Sequence, residues 1–296
     1  MARKTREDLL ICVACGTQFS ASASQPLKAC RICDDPRQFV PPAGQTWTSL
    51  AEMRSSSKYK NEFKQDEFEP RMTSIYTTPK FAIGQRCFLL ETAAGNVLWD
   101  CITYLDEETI YYINSKGGLK AIVISHPHYY TTHLVWAKTF DCPVYFCKDD
   151  EEWVSQSDDE GRRKLIEATS EDVVDGVKAI KVGGHFPGSL VLLWDKKLFI
   201  ADSLVTTPSA LYHVDRPRGT NSYVFMWSIP NMIPLPPTEI HKMWQALKMY
   251  DFESTHGAFV GLDVRDNNVK ARVLESMKIQ ARAEGYSDLP ILAENL

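Results

Sequence analysis

The sequence predicts an α/β fold, a sandwich of two sheets with helices outside, carrying a small N-terminal module. Three observations predict it. Short apolar and β-branched runs alternate with helically spaced segments, and the same order then recurs. His and Asp residues stand where those runs end, the positions at which such a scaffold presents a site in loops along one rim. Four of the eight cysteines fall in two C-x-x-C pairs, inside a stretch too poor in apolar residues to build its own core.

At 296 residues, one large domain with a small appendage is the natural organisation. Apolar residues make up 44% and charged residues 24%, an ordinary soluble composition. The formal net charge of -5, with no long basic run, gives a nucleic-acid partner little electrostatic support. The longest apolar runs, such as residues 190–194, are too short to span a bilayer. Arg3, Lys4 and Arg6 precede an apolar stretch at 9–15 that superficially suggests a signal peptide. That stretch is short and contains Cys12 and Cys15, so export is rejected. A reducing compartment, the cytosol, follows from the cysteine usage.

In chain order, residues 1–45 hold Cys12-Val-Ala-Cys15 and Cys30-Arg-Ile-Cys33. Two such turns can close a tetrahedral zinc site, and the ion would supply folding energy that the intervening Gly, Ser, Ala, Gln and Pro residues cannot. A site closed by four Cys is structural rather than catalytic; redox dithiols or plain buried thiols are the minor alternatives. Pro41-Pro42-Ala43-Gly44 marks a boundary, and residues 46–71, mixed and charged, read as a linker or a solvated helix. The main domain spans 72–296. Runs at 81–90 and 96–101 flank the hairpin-like turn Thr92-Ala93-Ala94-Gly95. Residues 106–116 have helical spacing, with Gly117-Gly118 as the stop.

The stretch 121–133, Ala-Ile-Val-Ile-Ser-His-Pro-His-Tyr-Tyr-Thr-Thr-His, holds three of the chain's seven His. A short buried strand ends at Ser125, and the loop after it carries His126 and His128. The intervening Pro favours extended backbone at His126, so both imidazoles can point the same way and grip one ion. A helix over 131–140 and a strand over 143–147 follow, then an acidic surface helix or loop over 149–172. A strand over 177–182 ends in Gly183-Gly184-His185-Phe186-Pro187-Gly188-Ser189. A second hairpin turns at Asp195-Lys196-Lys197 and ends at Asp202. Residues 203–237 are rich in Pro and aromatics and lack periodicity. Helices over 239–250 and 267–284 flank a segment containing His256.

His126, His128, His185, Asp202 and His256 are thus ligand-type residues at strand ends on separate loops. In this arrangement the chain resembles the metallo-β-lactamase superfamily of metal-dependent hydrolases, over roughly residues 72–260. The matching motifs are His126-Pro-His128, Gly184-His185-Phe186-Pro187-Gly188-Ser189, Ile200-Ala201-Asp202 and Thr255-His256-Gly257. The resemblance implies an αββα metallo-β-lactamase-like sandwich, and metal ligation by His126, His128 and His185 with Asp202 completing or bridging. Where the family has Asp then His, this chain has Tyr130 and Thr131, so the second metal site, which also uses the late His256, is in doubt. His133 either substitutes there or caps and packs, with packing the favoured reading. The His loop, the paired C-x-x-C motifs and the run 225–231 further resemble a fungal subgroup that includes γ-lactamases opening benzoxazolinone-type compounds.

The residues imply a mechanism of their own. Three neutral His leave an open position on zinc, where bound water has its pKa lowered from about 15.7 toward about 7. The resulting hydroxide attacks a carbonyl, and Asp202 orients it or carries its proton. Tyr130 or His133 is placed to hydrogen-bond the carbonyl or donate to the leaving group. The expected cofactors are one catalytic zinc, with a second left open, and one structural zinc at Cys12, Cys15, Cys30 and Cys33; iron or manganese is an alternative at the His site. The expected partner is a small-molecule substrate, a cyclic amide, with no nucleic acid and no membrane. The competing readings are an ester or thioester hydrolase of glyoxalase type, and an inert metal-binding scaffold. His213 and His241 read as ordinary residues, and Arg216 and Arg218 as solvated ones.

Overall fold

A computed structural model describes residues 6–212 and 219–296. His213, Arg216 and Arg218 lie outside the described residues. The chain divides into two compact units, Met1–Phe146 with Glu151–Leu165, and Cys147–Asp150 with Ile166–Leu296.

The first unit carries a seven-stranded sheet in the order Arg163–Ile166, Val144–Cys147, Ala121–Val123, Val97–Trp99, Cys87–Leu90, Met72–Thr78, Lys60–Gln65. Ala121–Val123 runs parallel to Val97–Trp99 and to Val144–Cys147. Such a central parallel strand is covered on both faces, which is why its sequence is continuously apolar. The helix Glu107–Ser115 that leads into it is capped by Asp106, whose carboxylate accepts from the Thr109 N–H at 2.8 Å. Gly117 and Gly118, both at positive φ, end it.

The edge strand Lys60–Gln65 falls where a linker or solvated helix was expected. It pairs along its whole length with Met72–Thr78. Its inward face carries Asn61, whose Nδ2 donates to Tyr104 O and Thr109 Oγ1, both at 2.9 Å. A polar residue satisfied inside replaces the hydrophobe that would have revealed the alternation. The acidic 149–172 stretch begins with the 3-10 helix Lys148–Trp153 and a loop, as expected, and then forms two strands that were not, Arg163–Ile166 and Ser170–Val174.

Still in the first unit, Leu9–Cys12 pairs with Gln18–Ser22 and with Trp47–Thr48 in a three-stranded sheet. Beside it, Cys12, Cys15, Cys30 and Cys33 form a buried cluster with Phe19 and Ile32.

The second unit carries a six-stranded sheet in the order Ser170–Val174, Val177–Lys181, Leu190–Trp194, Lys197–Phe199, Ser254–His256, Asp263–Arg265. The turn between Leu190–Trp194 and Lys197–Phe199 places Asp195 and Lys196 at φ of 48° and 59°, the two-residue geometry that matches strand twist. Helices Pro237–Leu247 and Val269–Ala283 bury Ile240, Met243, Trp244, Val273 and Met277 in one core with the strand residues Ile180, Val191 and Leu198. Among the described residues, no helix is long and apolar enough to cross a membrane.

Candidate metal centre

His126 and His128 follow the central strand through a backbone device that begins at Asp100. Asp100 has a φ of 60°, its N–H donates to Val123 O at 2.8 Å, and its Oδ1 accepts from the Ser125 N–H at 2.8 Å. The chain therefore leaves the sheet at a fixed point. His126 is extended, as a residue before Pro must be, and Pro127–Tyr129 then form a 3-10 turn. That turn, rather than a continuous extended segment, brings the two rings to 5.1 Å between centroids. His126 Nδ1 lies 2.8 Å from Ser125 Oγ, which orients the ring with Nε2 turned away from the hydroxyl.

His185 sits in a loop tied down on every side. Its N–H donates to Ser203 Oγ at 3.0 Å, and Ser203 Oγ donates on to Gly183 O at 2.6 Å. The Phe186 N–H donates to Ser189 Oγ, and the Gly188 N–H to Asp150 Oδ1. Gly184, at a φ of 88°, leaves no room for a Cβ, which would stand 2.8 Å from Leu235 Cδ1. His185 Nδ1–H donates to Trp227 O at 2.7 Å, which fixes the tautomer with its lone pair on Nε2. That Nε2 lies 3.7 Å from Asp202 Oδ2, beyond hydrogen-bond range. Two donors each about 2.1 Å from one tetrahedral ion stand about 3.4 Å apart, close to this separation.

His126, His128, His185 and Asp202 each offer a ligand atom, all within 4.8 Å of one another, and all four residues are buried. Three imidazoles and a carboxylate suit a divalent zinc, iron or manganese ion. The donor set therefore fits a metal.

Cys12, Cys15, Cys30 and Cys33 make a second group within the same 4.8 Å limit. Sγ of Cys12 lies 3.7 Å from that of Cys33, and Sγ of Cys15 lies 3.6 Å from that of Cys30. Thiolates about 2.3 Å from a tetrahedral ion stand about 3.8 Å apart, so these spacings also fit. Hydrogen bonding from the Cys15 thiol, then from Cys30 and Cys33, holds Cys12 far below the usual thiol range, while burial pushes Cys15 up.

The remaining candidates stand apart from these groups. His256 Nδ1 bonds Asp263 Oδ1 at 2.8 Å, and its Nε2 lies 3.0 Å from Ser254 Oγ, so both ring nitrogens are engaged inside the second sheet. His133 Nδ1–H donates to Tyr130 O at 2.7 Å, and its Nε2 accepts from Arg163 Nε at 3.0 Å. Burial, and then the Arg163 charge, push its pKa down to about 3. Tyr130 is buried, with its ring 4.9 Å from that of Phe146 and 5.8 Å from that of His133. His241 pairs with Glu294 at 2.9 Å.

Sequence reasoning missed Asp100, Ser125, Ser203 and Asp150, which hold the segments that carry the candidate ligands. Ser125 carried a usable signal, since it ends a predicted strand, and Asp100 stands one residue before the end of another. Trp227 acts through its backbone carbonyl and carried none.

No protein-family model matches the chain. Two solved structures share its fold at low identity. VMB-1 superposes with a TM-score of 0.52 at 14% identity, covering 76% of this chain and 99% of that one. The metallo-β-lactamase DIM-1, exposed to ceftazidime, superposes with a TM-score of 0.50 at 12% identity, covering 75% and 98%. The uncharacterized protein YmaE of Bacillus subtilis (strain 168) is 39% identical over 249 residues, 84% of this chain and 88% of that protein. The chain therefore belongs to the family of Bacillus subtilis YmaE and has the metallo-β-lactamase fold.

Proposed function

We propose that the protein is a metal-dependent hydrolase with one catalytic ion, acting on a small cyclic amide such as a γ-lactam or a benzoxazolinone. The observation that carries this reading is the convergence of His126, His128, His185 and Asp202 to within 4.8 Å. An ion held there would lower the pKa of a bound water from about 15.7 toward about 7 and polarise a carbonyl oxygen. The chain's own residues supply the rest. The bonds from His185 Nδ1 to Trp227 O and between His126 Nδ1 and Ser125 Oγ hold the two imidazoles in the ligating orientation. Asp202, a carboxylate beside three imidazoles, can orient a nucleophile or accept its proton and pass it to the leaving nitrogen.

A single catalytic ion is favoured because His256 and His133 each have both ring nitrogens engaged elsewhere. In this reading His133 packs and positions, and His256 braces its strand. Tyr130 remains the candidate for hydrogen-bonding the substrate carbonyl, and Tyr130→Phe with unchanged turnover would remove it. Zinc is the proposed ion in both groups, and four thiol ligands suit the reducing cytosol.

The amide class rests on resemblance in the His loop and the 225–231 run, so an ester or thioester substrate is the second reading on the same chemistry. Elemental analysis combined with a lactam, lactone and thioester screen tests the proposal. Two ions per chain and lactam opening that vanishes in His185→Ala are expected. One ion per chain with no hydrolysis of any panel would leave only a scaffold.

A further inference from the structure

We infer that the four-Cys module is a positioning element for the loop bearing His126 and His128, acting through Thr103 and Gln18. The inference rests on the reading that His126, His128, His185 and Asp202 hold an ion. All the contacts below lie within the first unit.

The first Cys turn is closed by the Gly16 N–H donating to Cys12 O at 2.8 Å and the Cys12 N–H donating to Thr17 O at 3.0 Å. The two residues that leave the turn then reach the His loop. Gly16 O accepts from Thr103 Oγ1 at 3.1 Å. The approach is so close that a Cβ on Gly16 would stand 2.2 Å from that hydroxyl oxygen. Thr103 O in turn accepts from Thr132 Oγ1 at 2.8 Å. Independently, the Gln18 N–H donates to Thr131 O at 3.1 Å. Thr103 and Gln18 thus bracket residues 131 and 132 from the module side.

What they bracket is a residue under strain. Thr131 has a φ of 37°, a left-handed conformation that a β-branched side chain resists. Such a residue persists only where its surroundings over-determine it. It lies three positions after His128, so its relaxation would re-aim the 3-10 turn that sets the two imidazoles together. The module's fully buried core is small, the four cysteines with Phe19 and Ile32, and partly buried side chains such as Trp47 and Leu27 cover it. An ion held by the thiols would add the largest part of its order. The module is also anchored away from the loop: the guanidinium groups of Arg31 and Arg37 stand 5.4 and 5.0 Å from the Trp153 ring. Gln156 Nε2 donates to Gln18 Oε1 at 2.7 Å. A module tied at both ends transmits its order to the loop.

Cobalt(II) titration of the full chain tests this. The first equivalent is followed by thiolate-to-metal charge transfer in the near ultraviolet, and the second by its visible d–d bands. Thr103→Val removes the hydroxyl that reaches Gly16, Thr132→Val removes the donor to Thr103, and Thr103→Ser restores the first hydroxyl. Both valine variants should keep the first equivalent and bind the second about 10-fold more weakly, with Thr103→Ser returning to the unmodified value. Unmodified affinity for the second equivalent in either folded valine variant overturns the positioning role, even where the melting temperature falls. A Thr103→Ser chain as weak as Thr103→Val overturns it too. Failure of the unmodified chain to take a second equivalent would instead overturn the metal reading, and the positioning role with it.

Discussion

His185 Nδ1 donates to the backbone carbonyl of Trp227 across 2.7 Å, so an imidazole in one loop is aimed by main chain 42 residues away in sequence. The Trp227 segment is itself held by the long C-terminal helix. Gln280 Oε1 accepts from the Phe225 N–H at 3.0 Å, and its Nε2 donates to Phe225 O at 3.1 Å.

Replacing Gln280 with Met keeps its length and removes both bonds. The Phe225 N–H then loses the Gln280 acceptor, at about 1–3 kcal/mol, while Phe225 O keeps its bond from the Leu235 N–H at 2.9 Å. Loss of aim at His185 should add an affinity cost of about 10-fold at the His group. Denaturant unfolding and a chelator competition measure the two separately. Metal affinity equal to that of the unmodified chain would show that Trp227 O needs no support from the helix.

His185→Ala and His256→Ala should behave differently. The first removes a member of the four-residue group and should cost one metal equivalent per chain by elemental analysis. The second breaks the contacts with Asp263 and Ser254 and should lower stability by about 2–4 kcal/mol while leaving metal content intact. Loss of an equivalent in His256→Ala would show His256 to be a ligand.

Asp100 should tolerate Asn far better than Ala. Asn keeps the acceptor for the Ser125 N–H and accepts a φ of 60°, whereas Ala does neither. Asp100→Ala should lose about 2–3 kcal/mol in denaturant unfolding, and Asp100→Asn less than about 1 kcal/mol. Equal losses would mean that the charge, not the acceptor, matters there.

The low pKa of His133, about 3, predicts an acid-side loss of stability. Unfolded, the ring takes up a proton near its ordinary value of about 6.5; folded, it stays neutral until about pH 3. Its contribution is therefore full above about 6.5 and falls as pH drops through that window. Thermal melts of His133→Gln should show a shallower decline between pH 6.5 and 4 than the unmodified chain. Parallel declines would place the acid sensitivity elsewhere.

Gly184→Ala should destabilise by about 1–2 kcal/mol from backbone conformation alone, because its φ of 88° is left-handed. The approach of Leu235 Cδ1 and Met243 Sδ to the new Cβ adds to this. A melting temperature within a degree of the unmodified chain would show that the loop re-forms without cost.

Much was legible because it is local. The paired C-x-x-C spacing, the capped helix before the central strand, the Asp195-Lys196 turn and the glycine-flanked His185 each declare themselves within a few residues. The strand Lys60–Gln65 did not, because Asn61 on its buried face is satisfied by partners more than forty residues away.

By itself the sequence determined which residues can ligate and which loops carry them, because ligand chemistry belongs to the side chain and loop position follows from local periodicity. Only the tertiary structure decided which of those histidines converge on one point and which are engaged elsewhere. His256 and His133 look like ligands in the sequence, yet their nitrogens are spent on Asp263, Ser254, Arg163 and the Tyr130 carbonyl. An imidazole has two nitrogens, and what each meets depends on contacts between distant segments that no short stretch of sequence encodes.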